Sequence, residues 1–166
     1  KDYHQEVIDS KGYTWWGKYY KSKRIISKEK VNIYKNQIEN NIPTYVYFLE
    51  NKPGSDLYKS KLLDISDDFN YIDDENLPTY YRNAAKEECE VFFKINGFEK
   101  VDKDKTIEVL RKSSEPKKQG GVKNALRGSS SYLMVCDENN FEKSQQANLS
   151  SSNLNEEKAS WMLNKH

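Results

Sequence analysis

Hydrophobic and polar positions along this chain change period several times, and each change marks an element. Val31, Tyr34 and Ile38 recur at i, i+3 and i+7, one face of a helix. Ser27 stands where an N-cap serine would accept from first-turn amides, and Glu29 puts negative charge near the positive end of the helix dipole. Asn40-Asn41 and Pro43 then stop the helix, which the pattern predicts over Lys28 to Glu39. Thr44 to Leu49 is β-branched and aromatic with both faces apolar, a predicted central strand. Asn51 to Ser55 is a turn, Leu57 to Ile65 the returning strand, and Val91 to Ile95 a further strand. Asn96-Gly97 either turns a hairpin or puts a bulge inside one long strand reaching Val101. Asp102 to Lys112 holds a short helix with Ile107, Val109 and Leu110 inward. A helical turn follows at Val122 to Leu126, and Ser129 to Val135 is a closing strand.

Other segments lack such periods. Residues 1–11 carry few apolar positions and read as a loose lead-in. Ser66 to Asn76 is acidic and turn-rich but lacks the spacing of a calcium loop, so a solvated loop is expected. After Cys136 the chain turns polar, and 138–166 reads as a linker or short helix, with Ala159 and Leu163 at helical spacing. The expected organisation is a lead-in at 1–11, one domain over 12–137 and a polar tail at 138–166. Because the sequence begins at Lys1 rather than Met, it is expected to be a piece of a larger protein.

The run Gly12 to Arg24 fits neither period. It sets Trp15 beside Trp16, surrounds them with Tyr13, Tyr19 and Tyr20, and moves at once to Lys18, Lys21, Lys23 and Arg24. Adjacent residues of a strand point to opposite faces, so at most one tryptophan can face a given core. The plain reading is an amphipathic strand with one core tryptophan. The alternative gives the other ring a ligand, since rings stack on bases and cations hold phosphates. Gly17 points to Trp16 for that role, because the missing side chain leaves room beside it.

Composition narrows the choice little. The 166 residues fit one ordinary domain, and 27 Lys and Arg against 26 Asp and Glu leave a net charge of +1, so bulk charge argues for no polyanion. Cys89 and Cys136 have no metal spacing, and His4 and His166 lie near the ends. A zinc site is therefore not expected, and both thiols read as reduced. No apolar run has the length of a membrane span. A cytoplasmic protein without membrane contact is expected.

No enzyme constellation stands out: there is no glycine-rich phosphate loop, no histidine pair and no Cys–His neighbourhood. Asp64, Asp67 and Asp68 lack the Glu-x-Lys that a common nuclease would add. The chain is expected not to be an enzyme by itself and to need no cofactor or metal. What remains is a binding constellation. Trp15, Trp16, Tyr19 and Tyr20 come from one segment, and Tyr80, Tyr81 and Arg82 from a distant loop, the materials of an aromatic pocket with a basic rim.

The order of elements carries a resemblance. Trp15-Trp16-Gly17-Lys18, then Tyr45 to Leu49, then Leu57 to Ile65, then Val91 to Ile95 resembles the EVE and YTH domains of the PUA-like superfamily, over roughly Gly12 to Val135. The resemblance implies an α+β fold, a small curved barrel-like β-sheet flanked by helices. It also implies an aromatic cage for a modified, methylated base. In this sequence the cage would draw on Trp15, Trp16, Tyr19, Tyr47, Tyr71, Tyr80 and Tyr81. Lys18, Lys21, Lys23, Arg24, Arg82, Lys117, Lys118, Lys123 and Arg127 would hold phosphates. The loop before the Phe-rich strand has tyrosines where the family has a tryptophan. Similarity to the DNA-reading N-terminal modules of McrB-type modification-dependent restriction systems favours DNA over RNA as partner and implies further domains of the same chain. The competing readings are a general RNA-binding PUA-like module and a protein–protein interaction domain with the Trp pair as its hot spot.

Overall fold

The computed structural model describes residues 1–19, 26–49, 54–81, 84–112, 114, 117, 119–126 and 135–137. The chain divides into two compact units, one of Lys1–Leu49 with Tyr58–Lys100, the other of Glu50–Leu57 with Val101–His166.

The first unit opens with a helix, not the loose lead-in expected at 1–11. Helix α1 spans Asp2–Lys11 and buries His4 and Ile8, four residues apart on one face. Its end is set by Gly12, whose φ of 85° suits a residue without Cβ, and whose amide closes on the Ile8 carbonyl at 2.7 Å. Strand β1 (Thr14–Tyr19) follows, then helix α2 (Lys28–Glu39), which has the predicted bounds. The Ser27 hydroxyl accepts from the Lys30 amide, Val31 is buried, and Tyr34 and Ile38 are half-buried. Strands β2 (Tyr45–Leu49) and β3 (Leu57–Ser66) match the two apolar runs.

Three 3-10 turns then occupy Phe69–Tyr71, Asp74–Asn76 and Thr79–Tyr81, and a short helix α3 spans Ala84–Glu87. The acidic segment is therefore not a plain solvated loop. The Asp68 and Asp73 side chains cap the first two turns, and Lys86 Nζ donates to the Ile72 carbonyl at 2.6 Å. Strand β4 (Cys89–Ile95) stops at the Asn96-Gly97 pair instead of running on. Gly97 offers its carbonyl to the Ser60 hydroxyl, and β5 (Glu99–Val101) pairs separately with β3.

The main sheet runs β1-β4-β3-β2. It is the expected α+β architecture, but open: β1 and β2 end the order and do not pair to close a barrel, so β2 is an edge strand, with no fully buried residue, rather than the central strand expected. β1 pairs antiparallel with β4, setting Trp16 opposite Phe93, Trp15 opposite Lys94 and Gly17 opposite Phe92. Opposed residues share a face, so Trp15, Gly17, Phe92 and Lys94 lie on one side of the sheet and Trp16 and Phe93 on the other. The register slips between Lys18 and Tyr19, leaving Glu90 without a ladder partner, and again between Leu62 and Asp64 on β3. β4 is buried on both faces by Val91, Phe92 and Ile95, as its unbroken apolar run implies.

In the second unit, α4 (Lys103–Val109) is capped by the Asp102 carboxylate. Leu110 is buried as expected but opens strand β6 (Leu110–Lys112), and Val109 is exposed at the helix end rather than inward. Helix α5 (Gly121–Ala125) buries Val122, and β6 pairs antiparallel with β7 (Val135–Asp137). Most of the expected closing strand, 129–134, and the tail at 138–166 lie outside the described residues.

Candidate nucleic-acid interface

The two tryptophans of β1 have different surroundings. Trp15 is buried in a cluster with Ile72, Leu77, Tyr81, Cys89 and Phe92. Its indole N–H donates to Asp73 Oδ2 at 3.1 Å, and the Tyr13 hydroxyl donates to the same oxygen at 3.1 Å. The remaining Asp73 oxygen accepts from the Asn76 amide, so one carboxylate fixes a strand, a ring and a turn. Tyr71 meets Trp15 edge to face at 6.1 Å, and its hydroxyl donates to Asp64 at 3.0 Å, which pushes the phenol pKa up. The Lys94 ammonium stands 3.9 Å from the Tyr13 ring centroid and 5.7 Å from that of Trp15.

Gly17 does leave space, but on this core side and already filled. A Cβ there would meet Cys89 Sγ at 2.7 Å, Phe92 Cε1 at 2.8 Å and Tyr81 Cε1 at 3.0 Å. The room expected beside Gly17 is thus packed protein. Cys89 is a buried thiol whose pKa burial pushes up to about 11, so it is a protonated packing residue rather than a nucleophile.

On the opposite face, Trp16 lies flat against the His4 imidazole, with centroids 4.1 Å apart and planes at 18°. Three further rings stand edge-on to the imidazole: Tyr80 at 5.9 Å and 78°, Tyr81 at 5.6 Å and 67°, and Phe98 at 6.4 Å and 74°. A floor and three walls of aromatic carbon therefore enclose one flat heterocycle. Phe48 covers Trp16 as well, at 4.5 Å. The Tyr80 hydroxyl lies 3.4 Å from each imidazole nitrogen and can donate to whichever is unprotonated. His4 is wholly buried, and desolvation lowers its pKa to about 3. The imidazole in this cage is neutral at physiological pH.

The fold thus gathers Trp16 and Tyr80 around His4 on one face and sets Trp15 and Tyr71 on the other, with Tyr81 reaching both. Tyr81 is buried, donates its hydroxyl to the Gly17 carbonyl at 2.8 Å, and stacks on the half-buried Tyr19 at 5.6 Å. Tyr80 stays 44% exposed, with the exposed Tyr3 ring 5.9 Å away. Tyr47 is half-buried on β2 beside Phe48. Among the basic residues, Lys18 pairs with the buried Glu90 carboxylate, which the bulge in β4 brings to it. Lys117 and Lys123 are exposed in the second unit. Lys21, Lys23, Arg24, Arg82, Lys118 and Arg127 lie outside the described residues.

Sequence reading missed His4, Phe48, Phe98 and Lys94. His4 had a signal: His4 and Ile8 at i, i+4, with Lys11 in the last turn and Gly12 after it, are the marks of a helix with one buried face.

No group of His, Cys, Asp and Glu suited to a metal occurs among the described residues, and none of their helices is long and apolar enough to cross a membrane. The chain belongs to the PUA-like family, whose model, described as Pua-like, matches residues 2–152. Such domains are generally binding modules rather than catalysts, and membership supports nucleic-acid binding in the broad sense. No curated protein and no solved structure matches the chain.

Proposed function

We propose that this module reads a modified, methylated nucleobase turned out of its strand and stacked on Trp16, with Tyr80, Tyr81 and Phe98 as walls. The observation that carries the reading is the enclosure of a flat nitrogen heterocycle by those four rings. Stacking on an aromatic floor is worth roughly 1–3 kcal/mol per base, and a methyl group set against ring carbon displaces water that gains little there. Tyr80 supplies a hydroxyl for the edge of the base. Lys21, Lys23, Arg24 and Arg82, close in sequence to the cage residues, would hold the flanking phosphates, with Lys117, Lys118, Lys123 and Arg127 as further contacts. DNA is favoured over RNA, in a cytoplasmic restriction system whose cutting or motor domains lie elsewhere.

The test is fluorescence anisotropy with a short single-stranded DNA carrying one N6-methyladenine, its 5-methylcytosine and unmodified counterparts, and the matching RNAs. A methylated strand should bind more tightly than the plain one, and Trp16→Ala should abolish that difference while the protein remains folded. Equal binding of all DNAs with stronger RNA binding would point to a general RNA-binding module. No salt-sensitive binding of any strand would leave a protein-interaction domain.

A further inference from the structure

The cage is full. His4 occupies one face of Trp16 and Phe48 lies against the same indole, so a base has no free face on which to stack. One ring has to leave before a ligand can enter, and the two rings are not held alike. Phe48 belongs to β2, a strand hydrogen-bonded into the main sheet. His4 belongs to helix α1, which is outside the sheet and ends at a left-handed glycine. Besides His4, that helix is held by the buried Ile8, the half-buried Val7, the exposed Tyr3 ring edge-on to Tyr80 at 5.9 Å, and an exposed ion pair from Lys11 to Glu75 at 3.6 Å. Exposed pairs of this kind contribute little. Gly12 meets no atom within 4 Å of where a Cβ would stand, so the joint between α1 and β1 lies in open space.

We infer that His4 is a self-ligand: α1 seats the imidazole where a nucleobase would stack, a base enters only when α1 swings away about Gly12, and the ring that replaces His4 is a neutral planar heterocycle. This rests on the base-reading proposed above. The choice of a neutral ring follows from what surrounds the imidazole. Its neighbours are aromatic carbon and the Tyr80 hydroxyl, and its hydrogen bonds go to that hydroxyl rather than to a carboxylate. A cationic base would enter a dry site that already disfavours charge on the ring it holds, as the lowered basicity of His4 reflects. The same geometry makes the affinity of the module depend on α1. Apparent affinity equals intrinsic affinity multiplied by the fraction of molecules with the helix displaced.

The experiment compares wild type, His4→Ala, Gly12→Ala and Trp16→Ala for binding to single-stranded DNA carrying N6-methyladenine or the cationic N1-methyladenine. His4→Ala empties the cage. Gly12→Ala keeps every cage ring and instead strains the left-handed residue that docks α1, so it serves if the first variant folds poorly. Both should bind the N6-methyladenine strand more tightly than wild type, by about tenfold if roughly one wild-type molecule in ten is open. All folded proteins should bind the N1-methyladenine strand more weakly. Amide hydrogen exchange of α1 should quicken when the N6-methyladenine strand is bound. If Trp16→Ala loses binding but His4→Ala and Gly12→Ala bind no tighter, the base-reading stands, His4 is a fixed wall, and the self-ligand is overturned. Slower exchange of α1 in the complex overturns it equally, and equal binding of the cationic base overturns the neutral-ring claim. If Trp16→Ala binds as wild type does, the base-reading fails first and the self-ligand with it.

Discussion

Trp15 and Trp16 are neighbours in sequence, and the two sides of β1 show how differently one residue type can be used. The Trp15 side is closed by mixed chemistry: aliphatic side chains that follow the 3-10 turns, a thiol, further aromatic rings, and a carboxylate that takes up the indole N–H. The Trp16 side is closed by rings packed around one imidazole of α1, with Ile8 of the same helix buried one turn further along the sequence. The first arrangement gives its buried indole N–H a carboxylate acceptor and is closed by packed side chains. The second rests on one helix that can be lifted without breaking the sheet. Strand alternation separated the two rings, but their neighbours decide which can serve a ligand.

The largest test of this contrast removes Trp15. Trp15→Ala should destabilise the fold by about 3–5 kcal/mol, the usual range for a large buried ring, with Asp73 losing a donor as well. Chemical denaturation measures it. A loss as small as that of Trp16→Ala would erase the distinction between the faces. Next comes Gly17→Ala, whose new methyl meets Cys89 Sγ, Phe92 and Tyr81 within 3.0 Å. Overpacking of this kind should cost about 1–3 kcal/mol. Adding Cys89→Ala should return part of that loss, a non-additivity that only direct contact produces.

Much of the fold was legible because local pattern and final packing agree. Helix α2 carries its own cap and stripe, and β2, β3 and β4 are long apolar runs. Elsewhere the determining partner is far along the chain. The Ser66–Asn76 segment looked solvated because its charges are what a loop shows. Asp73, however, is bound by Trp15 and Tyr13, and no local signal reports a donor nearly sixty residues away. Gly17 looked like room for a ligand, yet the atoms that fill it come from 81–92. The cage was half legible: tyrosines and a tryptophan of suitable type were visible, but not the histidine at its centre, because a short polar helix with two buried side chains resembles an unstructured end. The open sheet order was not readable either, since closing or leaving a sheet depends on pairing between strands rather than on the strands themselves.

Acidity separates the faces without any mutation. His4 has its ordinary pKa near 6.5 when α1 is undocked or the chain unfolded, and about 3 when caged. Above 6.5 the imidazole is neutral in both states and docking carries no proton penalty. As pH falls from 6.5 toward 3, the free state takes up a proton that the docked state refuses, so docking weakens by about 1.4 kcal/mol per pH unit. Tyr80 and Tyr81, whose pKa values burial raises, stay neutral throughout. Exchange of the α1 amides should therefore quicken between pH 6 and 4, a window set by the two His4 values, while Trp15 fluorescence stays native-like. In His4→Ala that change should vanish. A simultaneous loss of both faces in that window would show that they are one cooperative unit.

The finest test concerns Tyr81, the residue common to both sides. Its ring packs in the Trp15 cluster and stands edge-on to His4, while its hydroxyl is donated to the Gly17 carbonyl of the strand that carries both tryptophans. Burial raises the phenol pKa, so the group remains a donor at any working pH. Tyr81→Phe keeps the ring in both roles and deletes only that hydrogen bond, leaving a buried carbonyl without it. Stability should fall by about 0.5–1.5 kcal/mol, the net worth of one such bond. Affinity for a methylated strand should hold, because the wall the cage needs is ring carbon. If affinity drops more than stability does, the hydroxyl reaches the ligand when α1 is displaced, and Tyr81 belongs to the reading face rather than to the core.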